Sequence, residues 1–338
     1  MEEYKQAGVL FVVLTALVIL SLSTPTLTTS TIAFGAFDSE FVPGDMLFVG
    51  DILLGREVGR IMEREGPKYP FLHVETLLQS VDATVGNFES AIPLRYRETP
   101  DFGFALSVKQ EYLQTLKDVG FDILSLANNH SMDFGPEGFL NTATVCDAGG
   151  LLCIGNPINK AESQTAIVKV GSTRVGIIAL YAVNGDIAVN QLLPQVETLT
   201  RESDIQVTFI HWGDEYRPQH NDAQESIAHA LIDAGIDAVF GHHPHVVQDV
   251  ELYNSKPIFY SLGNFVFDQY FSDEVQTGLM VKLSIEKDTL LFTLIPVSSR
   301  GSASQPQIMN VDARNAFLQK LWESSALDIH ANHIAVPK

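Results

Sequence analysis

The sequence predicts an α/β fold, and three features predict it. From Met46 onward, short apolar runs alternate with amphipathic stretches, the pattern of helices packed outside a sheet. Five of the apolar runs stop in a residue able to bind a metal or move a proton, and carboxyl ends of strands are where open α/β sheets bind ligands. At 338 residues and 46% hydrophobic, the chain has apolar mass enough for a single large domain.

In chain order, Met46 to Asp51 reads as a strand and LLGREVGRIMER beyond it as a helix. A helix over Phe71 to Gln79 leads into a strand over Asp82 to Glu89. Helical stretches near Gln110 to Val119 and Pro136 to Ala148 precede the strands FDILSLANNH and LLCIG. A hairpin of Thr165 to Val170 and Thr173 to Tyr181 follows. Then come helix Gln191 to Glu202, strand IQVTFIHWG, helix Asp222 to Asp233 and strand DAVFGHHPH. Val246 to Val297 alternates strand-like runs with turns.

The start of the chain differs. No charge falls between Lys5 and Asp38, and Gly8 to Leu22 is apolar apart from Thr15 and Ser21. As helix it would span roughly 22 Å, short of the ~30 Å hydrocarbon core but suited to a signal core or short anchor. Residues 1–37 are expected to form a membrane anchor or signal segment with a Ser/Thr linker. The rest is then either membrane-anchored with an extracytoplasmic domain or secreted. Residues 44–300 are expected as the main domain and 301–338 as a C-terminal extension with a helix.

Twenty-one Lys+Arg against 41 Asp+Glu give a net charge of −20, which excludes a nucleic-acid partner. Two cysteines exclude a disulfide-dense scaffold or a Cys-based zinc ribbon. Cys146 closes a helix and Cys153 lies in the next strand, a placement expected to leave a free buried pair.

The strand-end residues are Asp51, Glu89, Asn129 with His130, His211, and the group His242, His243 and His245. Imidazoles, carboxylates and an amide together suit a divalent transition metal. In His243-Pro-His245, alternate residues of an extended segment point the same way, so two imidazoles can face one site. His242 reads equally as a ligand or as a supporting residue. Asn87, Arg56 and Glu215 lie in the same strand-end segments and are candidates for binding substrate or supporting the site. Trp212 and Tyr216 could form a stacking wall or simply pack. Asp133 is expected to shape the loop after His130, and Ser261 and Asn264 to line the pocket floor with Gly263.

GDILLGR (Gly50 to Arg56), VGNFES, LANNHSMDFGPEG, HWGDEY, GIDAVFGHHPHVVQ and YSLGNFVFD occur in the order of the motifs of the bacterial capsule-synthesis (CapA) family of poly-γ-glutamate biosynthesis proteins, which the chain resembles from about Gly44 to Arg300. Pro296, Val297, Gln305 and Pro306 resemble a later element of that family. The family is similar to calcineurin-like metallophosphoesterases, which implies a metallophosphatase-like four-layer α/β/β/α sandwich. The resemblance implies one or two divalent ions, manganese, iron or zinc, held by Asp51, Glu89, Asn129, His211, His243 and His245, with His130 as the acid beside them. Two departures stand out. Asp51-Ile52-Leu53 lacks the imidazole of the superfamily's Asp-x-His, and Gly86-Asn87-Phe88-Glu89 offers an amide and a shifted carboxylate where a bridging Asp is usual.

The activity implied is metal-dependent hydrolysis, of a phosphoester or a polymer's γ-glutamyl bond, outside the cytoplasmic membrane. The alternative is a non-catalytic, membrane-anchored accessory that binds and exports the polymer. The partners implied are the capsule or exopolymer chain and membrane-bound synthase subunits.

Overall fold

The computed structural model describes residues 41–338 apart from 101–102, 159–164, 184–186, 326 and 328–330. The apolar segment within 1–37 lies outside the described residues, and no described helix is long and apolar enough to cross a membrane.

The first sheet starts with four parallel strands, β1 (Gly44–Ile52), β2 (Ala83–Phe88), β3 (Ile123–Ser125) and β4 (Leu152–Ile154). Parallel neighbours need crossovers, supplied here by α1 (Arg56–Glu65), α2 (Glu75–Leu78), α3 (Glu111–Asp118) and α4 (Gly135–Ala148). In α1 the buried Val58, Ile61 and Met62 fall three and four residues apart, and Gly66 at φ 102° ends it. The helix expected over Phe71 to Gln79 is broken instead. A 3₁₀ turn at Tyr69–Phe71 precedes the single turn of α2, because Pro70 fixes an early turn and the chain must reverse within a few residues to reach β2.

The second sheet holds β5 (Thr165–Val170), β6 (Thr173–Ala182), β7 (Ile205–Trp212), β8 (Ala238–His242), β9 (Val250–Tyr253) and β10 (Lys256–Phe259), in the order β5-β6-β7-β8-β10-β9. Helix α5 (Val189–Glu202) joins β6 to β7 and α6 (Asp222–Asp233) joins β7 to β8. Asn221 and Gln224 form a reciprocal capping box at the start of α6.

The chain then returns to the first sheet. β11 (Asn264–Val266) pairs in parallel with β1, β12 (Thr277–Ile285) runs antiparallel to it, and β13 (Thr289–Ser298) pairs with β12. Residues 301–338 carry β14 (Gln307–Ile308), α7 (Val311–Ser324) and β15 (His333–Pro337). Both of these strands hydrogen-bond to β13, so this segment is part of the sheet and not an appendage to it.

Side-chain parity stacks these elements into four layers, the α/β/β/α sandwich implied by the resemblance. Met46 and Phe48 of β1 face Ile177 and Ala179 of β6, Val207 and Phe209 of β7 and Phe240 of β8 in a core between the sheets. Phe48 stacks on Phe240 with ring centroids 3.9 Å apart. Leu47 and Val49, of the other parity, pack against α1, α3 and α4. Ile178, Leu180, Ile210 and Trp212 pack against α5 and α6. Each large apolar side chain so buried contributes about 1.5–3 kcal/mol.

Cys146 and Cys153 form a disulfide, contrary to the expected free pair. The chain reverses at Gly149 and Gly150, the latter at φ 68°, and this brings the two Cα atoms to 6.1 Å, within bridging range.

Candidate metal centre

Parity decides which strand-end residues meet. Asn87 and Glu89 continue the parity of Ala83 and Val85, and His211 that of Val207 and Phe209, so all three aim between the sheets. Asp51 has the opposite parity to Phe48, yet it also points there. The pairing of β1 with β2 slips between Phe48 and Asp51, and such a bulge turns a side chain to the other face. Gly50 lies within the slip. A Cβ on it would stand 1.9 Å from the carbonyl oxygen of Gly263, so the close approach of the two backbones requires glycine.

The carboxylates therefore come from the first sheet and the imidazoles His211, His242, His243 and His245 from the second. Asp51 and Glu89 are completely buried. Asp51 Oδ1 accepts from Asn87 Nδ2 at 2.7 Å, and Oδ2 accepts from the His243 backbone N–H at 3.3 Å. His245 Nδ1 lies 3.4 Å from Asp51 Oδ2 and 2.9 Å from Asn264 Oδ1, while its Nε2 faces Glu89 Oε1 at 3.7 Å. His211 Nε2 lies 2.8 Å from Asn129 Oδ1. Donor atoms of Asp51, Glu89 and His245 lie within 4.8 Å of one another, and so do those of Glu89, His211 and His243.

His243 and His245 adopt φ of 96° and 59°, conformations that non-glycine residues avoid and that cluster at functional sites. The turn is held by Tyr216, whose N–H donates to Pro244 O and whose ring faces that of His245 at 6.1 Å.

Buried groups without partners mark the centre. Neither carboxylate oxygen of Glu89 has a hydrogen bond, nor has either ring nitrogen of His242 or the Nδ1 of His243. His242 Nδ1 stands 3.5 Å from Asp51 Oδ1, a charge contact too long for a hydrogen bond. Burial pushes the Glu89 carboxyl well above its usual range, against the pull of His245. For Asp51 burial acts upward too, but His242 and His245 outweigh it and hold the carboxyl well below. Burial, with His243 nearby, keeps His211 neutral, and burial beside His245 lowers His243 to about 4. His245 resists burial through Glu89 and Asp51 and is raised to about 9. A bare buried carboxylate beside a second carboxylate, with His211 and His243 neutral, is a donor set that fits a divalent cation.

His130 stands at the rim. Its Nδ1 meets Asp133 Oδ2 at 2.8 Å, and its Nε2 faces Glu89 Oε1 at 3.8 Å. Asp133 also accepts from the Leu106 N–H, so it ties the loop before α3 to the loop after β3.

Several candidates lie farther out. Arg56, at φ 49°, makes a paired contact with Asp268 and covers the Phe267 ring. Glu215 is exposed, and its charge is felt at Glu89 and His243. Ser261 accepts from the Gly263 N–H and so supports the turn into β11. Trp212 cannot form a stacking wall. It follows His211 by one residue, so it faces α5 and α6, fully buried, with Nε1 donating to Tyr260 O.

Asn128 is a site residue that the motif reading passed over. It is completely buried, donates to Asn87 Oδ1 and Phe88 O, and accepts from the His130 N–H and Ser131 Oγ. Its signal was its place beside Asn129 in LANNHS, where a second consecutive amide is costly to bury unless every bond is met.

Two facing sheets with carboxylates and imidazoles gathered between their carboxyl ends give the chain a metallophosphatase-like fold. Residues 45–269 match the family model described as "Bacterial capsule synthesis protein PGA_cap", and the chain belongs to that family. It is 31% identical over 319 residues to "Capsule biosynthesis protein CapA" of Bacillus anthracis, covering 85% of this chain and 78% of that one. It is 32% identical over 297 residues to "PGA biosynthesis protein CapA" of Bacillus subtilis, covering 82% and 77%. Among solved structures, a putative 5′-nucleotidase from Staphylococcus aureus overlaps with a TM-score of 0.44 at 13% identity, covering 83% of this chain and 58% of that one.

Proposed function

We propose that this capsule-synthesis protein is a metal-dependent hydrolase that cuts a phosphoester or a γ-glutamyl bond of a capsule polymer outside the cytoplasmic membrane. The observation that carries the reading is Glu89, a buried carboxylate with both oxygens free, facing His245 on one side and His130 on the other. A structural carboxylate would have been given partners, because leaving one bare costs about 1–3 kcal/mol or more.

When bound, a divalent ion would supply charge neutralisation and a polarised oxygen at neutral pH. Asp51, Glu89 and His245 form one group placed to hold it and Glu89, His211 and His243 a second, with Asn129 beside His211. Asn264 accepts the Nδ1 proton of His245 and so leaves Nε2 as the nitrogen that faces Glu89 and can be given to an ion. Asp133 likewise accepts the Nδ1 proton of His130, leaving Nε2 at the open side, where the doubly protonated ring can hand its Nε2 proton to a leaving group and keep the one on Nδ1. A Cys146–Cys153 disulfide suits an oxidising compartment, which supports placement outside the cytoplasm. The names of the Bacillus relatives, which speak of capsule and PGA biosynthesis, support a part in making such a polymer, and the polymer and its synthase are proposed here as substrate and partner.

The test is a metal count by plasma mass spectrometry, followed by hydrolysis assays on bis(p-nitrophenyl) phosphate and on γ-glutamyl oligomers. Wild type is expected to hold metal and turn over one of the two, and His130→Ala to hold metal and turn over neither. Full polymer production in cells carrying His130→Ala would sink the hydrolase and leave a polymer-binding accessory.

A further inference from the structure

The hydrogen-bond directions around Asn87 decide how many ions this centre takes, given the metal-centre reading above. The orientation of Asn128 is fixed by groups with only one role. The His130 backbone N–H can only donate, so the Asn128 atom 3.1 Å from it is Oδ1. The Phe88 carbonyl can only accept, so the atom 2.9 Å from it is Nδ2. That same Nδ2 meets Asn87 at 3.2 Å, so Asn87 presents Oδ1 to Asn128.

The other end of Asn87 is then its NH₂ group, and it points into the centre. Its two protons are directed at Asp51 Oδ1, 2.7 Å away, and at His211 Nδ1, 3.1 Å away. An NH₂ group has no lone pair to give a cation and repels one. His211 is consumed by the same contact. With Nδ1 accepting from Asn87, its proton sits on Nε2 and is donated to Asn129 Oδ1 at 2.8 Å. Although Glu89, His211 and His243 lie close enough to hold an ion, the imidazole of His211 has no free lone pair.

The other trio is prepared in the opposite sense. Asn264 Nδ2 donates to Val275 O, which fixes its Oδ1 as the acceptor for His245 Nδ1–H. Nε2 of His245 is therefore the nitrogen left for an ion, which takes its lone pair by displacing the proton held there, and it faces the bare Oε1 of Glu89. We infer that the centre takes one divalent ion, at Asp51, Glu89 and His245, and that the Asn87 amide, held by Asn128, excludes a second from the His211 side.

The experiment is a manganese count on the full-length chain, stripped with chelator, reloaded with Mn²⁺ and freed of excess. Wild type is expected to hold one ion per chain and Asn87→Asp two, because a carboxylate replaces the NH₂ group and frees His211 Nδ1. His211→Ala is expected to keep the single ion and His245→Ala to lose it. Electron paramagnetic resonance of the loaded wild type reads the same point without any variant: an isolated six-line Mn²⁺ signal is expected, and an exchange-coupled spectrum overturns the inference. Two ions in wild type overturn it while leaving the hydrolase reading intact. No ion in wild type overturns both, and a folded Asn87→Asp that stays at one ion removes Asn87 as the cause.

Discussion

His130 Nδ1 and Asp133 Oδ2 lie 2.8 Å apart, three residues from each other in one loop, and this contact fixes which nitrogen of His130 faces Glu89. The aspartate shares its oxygen with the Leu106 N–H, so the imidazole is oriented by a group that is itself anchored. Asp133→Ala is expected to lower hydrolysis about 10²-fold while leaving bound metal unchanged. Metal content falling in step with rate would make the contact purely structural.

Glu89→Gln replaces a buried carboxyl neither of whose oxygens has a hydrogen bond. The metal-free variant is expected to be about 1 kcal/mol more stable than wild type at neutral pH, roughly 2–4 °C in Tm. Added Mn²⁺ should raise the Tm of wild type and leave the variant where it was. A destabilised metal-free variant would show that the carboxylate does structural work instead.

The metal-free protein is expected to lose stability as pH rises from about 6.5 to 9. An unfolded imidazole gives up its proton near 6.5, whereas folded His245 keeps its own to about 9. The folded state binds more protons across that window, so stability is fully present below it and lost through it. Glu89, raised by burial, acts in the same direction. Thermal melts of chelated protein across these pH values should show the decline, and His245→Gln should flatten it. An equal slope in that variant would assign the dependence elsewhere.

Gly50→Ala is expected to cost about 3 kcal/mol or more, since its Cβ would meet Gly263 O at 1.9 Å. Relief of that clash moves β11 from β1 beside Asp51, so metal retention should fall with the urea midpoint. A midpoint within error of wild type would refute the close approach.

Replacing both Cys146 and Cys153 with Ser should cost about 2.5 kcal/mol, the entropy of releasing a short loop, and spare the metal. The measurement is the denaturant midpoint with and without reductant, which should shift in wild type alone.

Much of this was legible in the sequence because parity and motif order carry it. Asp51, Glu89, His211, His243 and His245 sit where strand ends placed them, and the alternation of β1 and β7 built the layers. What was not legible depended on contacts between distant segments. Trp212 reads from the sequence as either a site wall or packing, and only the facing of β7 toward α5 and α6 makes it packing. Asn128 resembled its neighbour Asn129 in every local respect. Only the pairing of β2 with β3 shows that it reaches Phe88 and Asn87, some forty residues earlier. The disulfide was missed because a helix and the following strand usually part, and the Gly149-Gly150 reversal is tighter than that rule assumes.

The carboxylates ride on one sheet and the imidazoles on the other, with the aromatic core of Phe48 and Phe240 beneath them. An ion shared by Asp51, Glu89 and His245 would therefore be a rivet through the seam of the sandwich. Prying the two halves apart would first require breaking it, so its occupancy couples to the mechanical cohesion of the whole domain by mass action. Amide exchange along β1 and β8 should slow together as the ion enters.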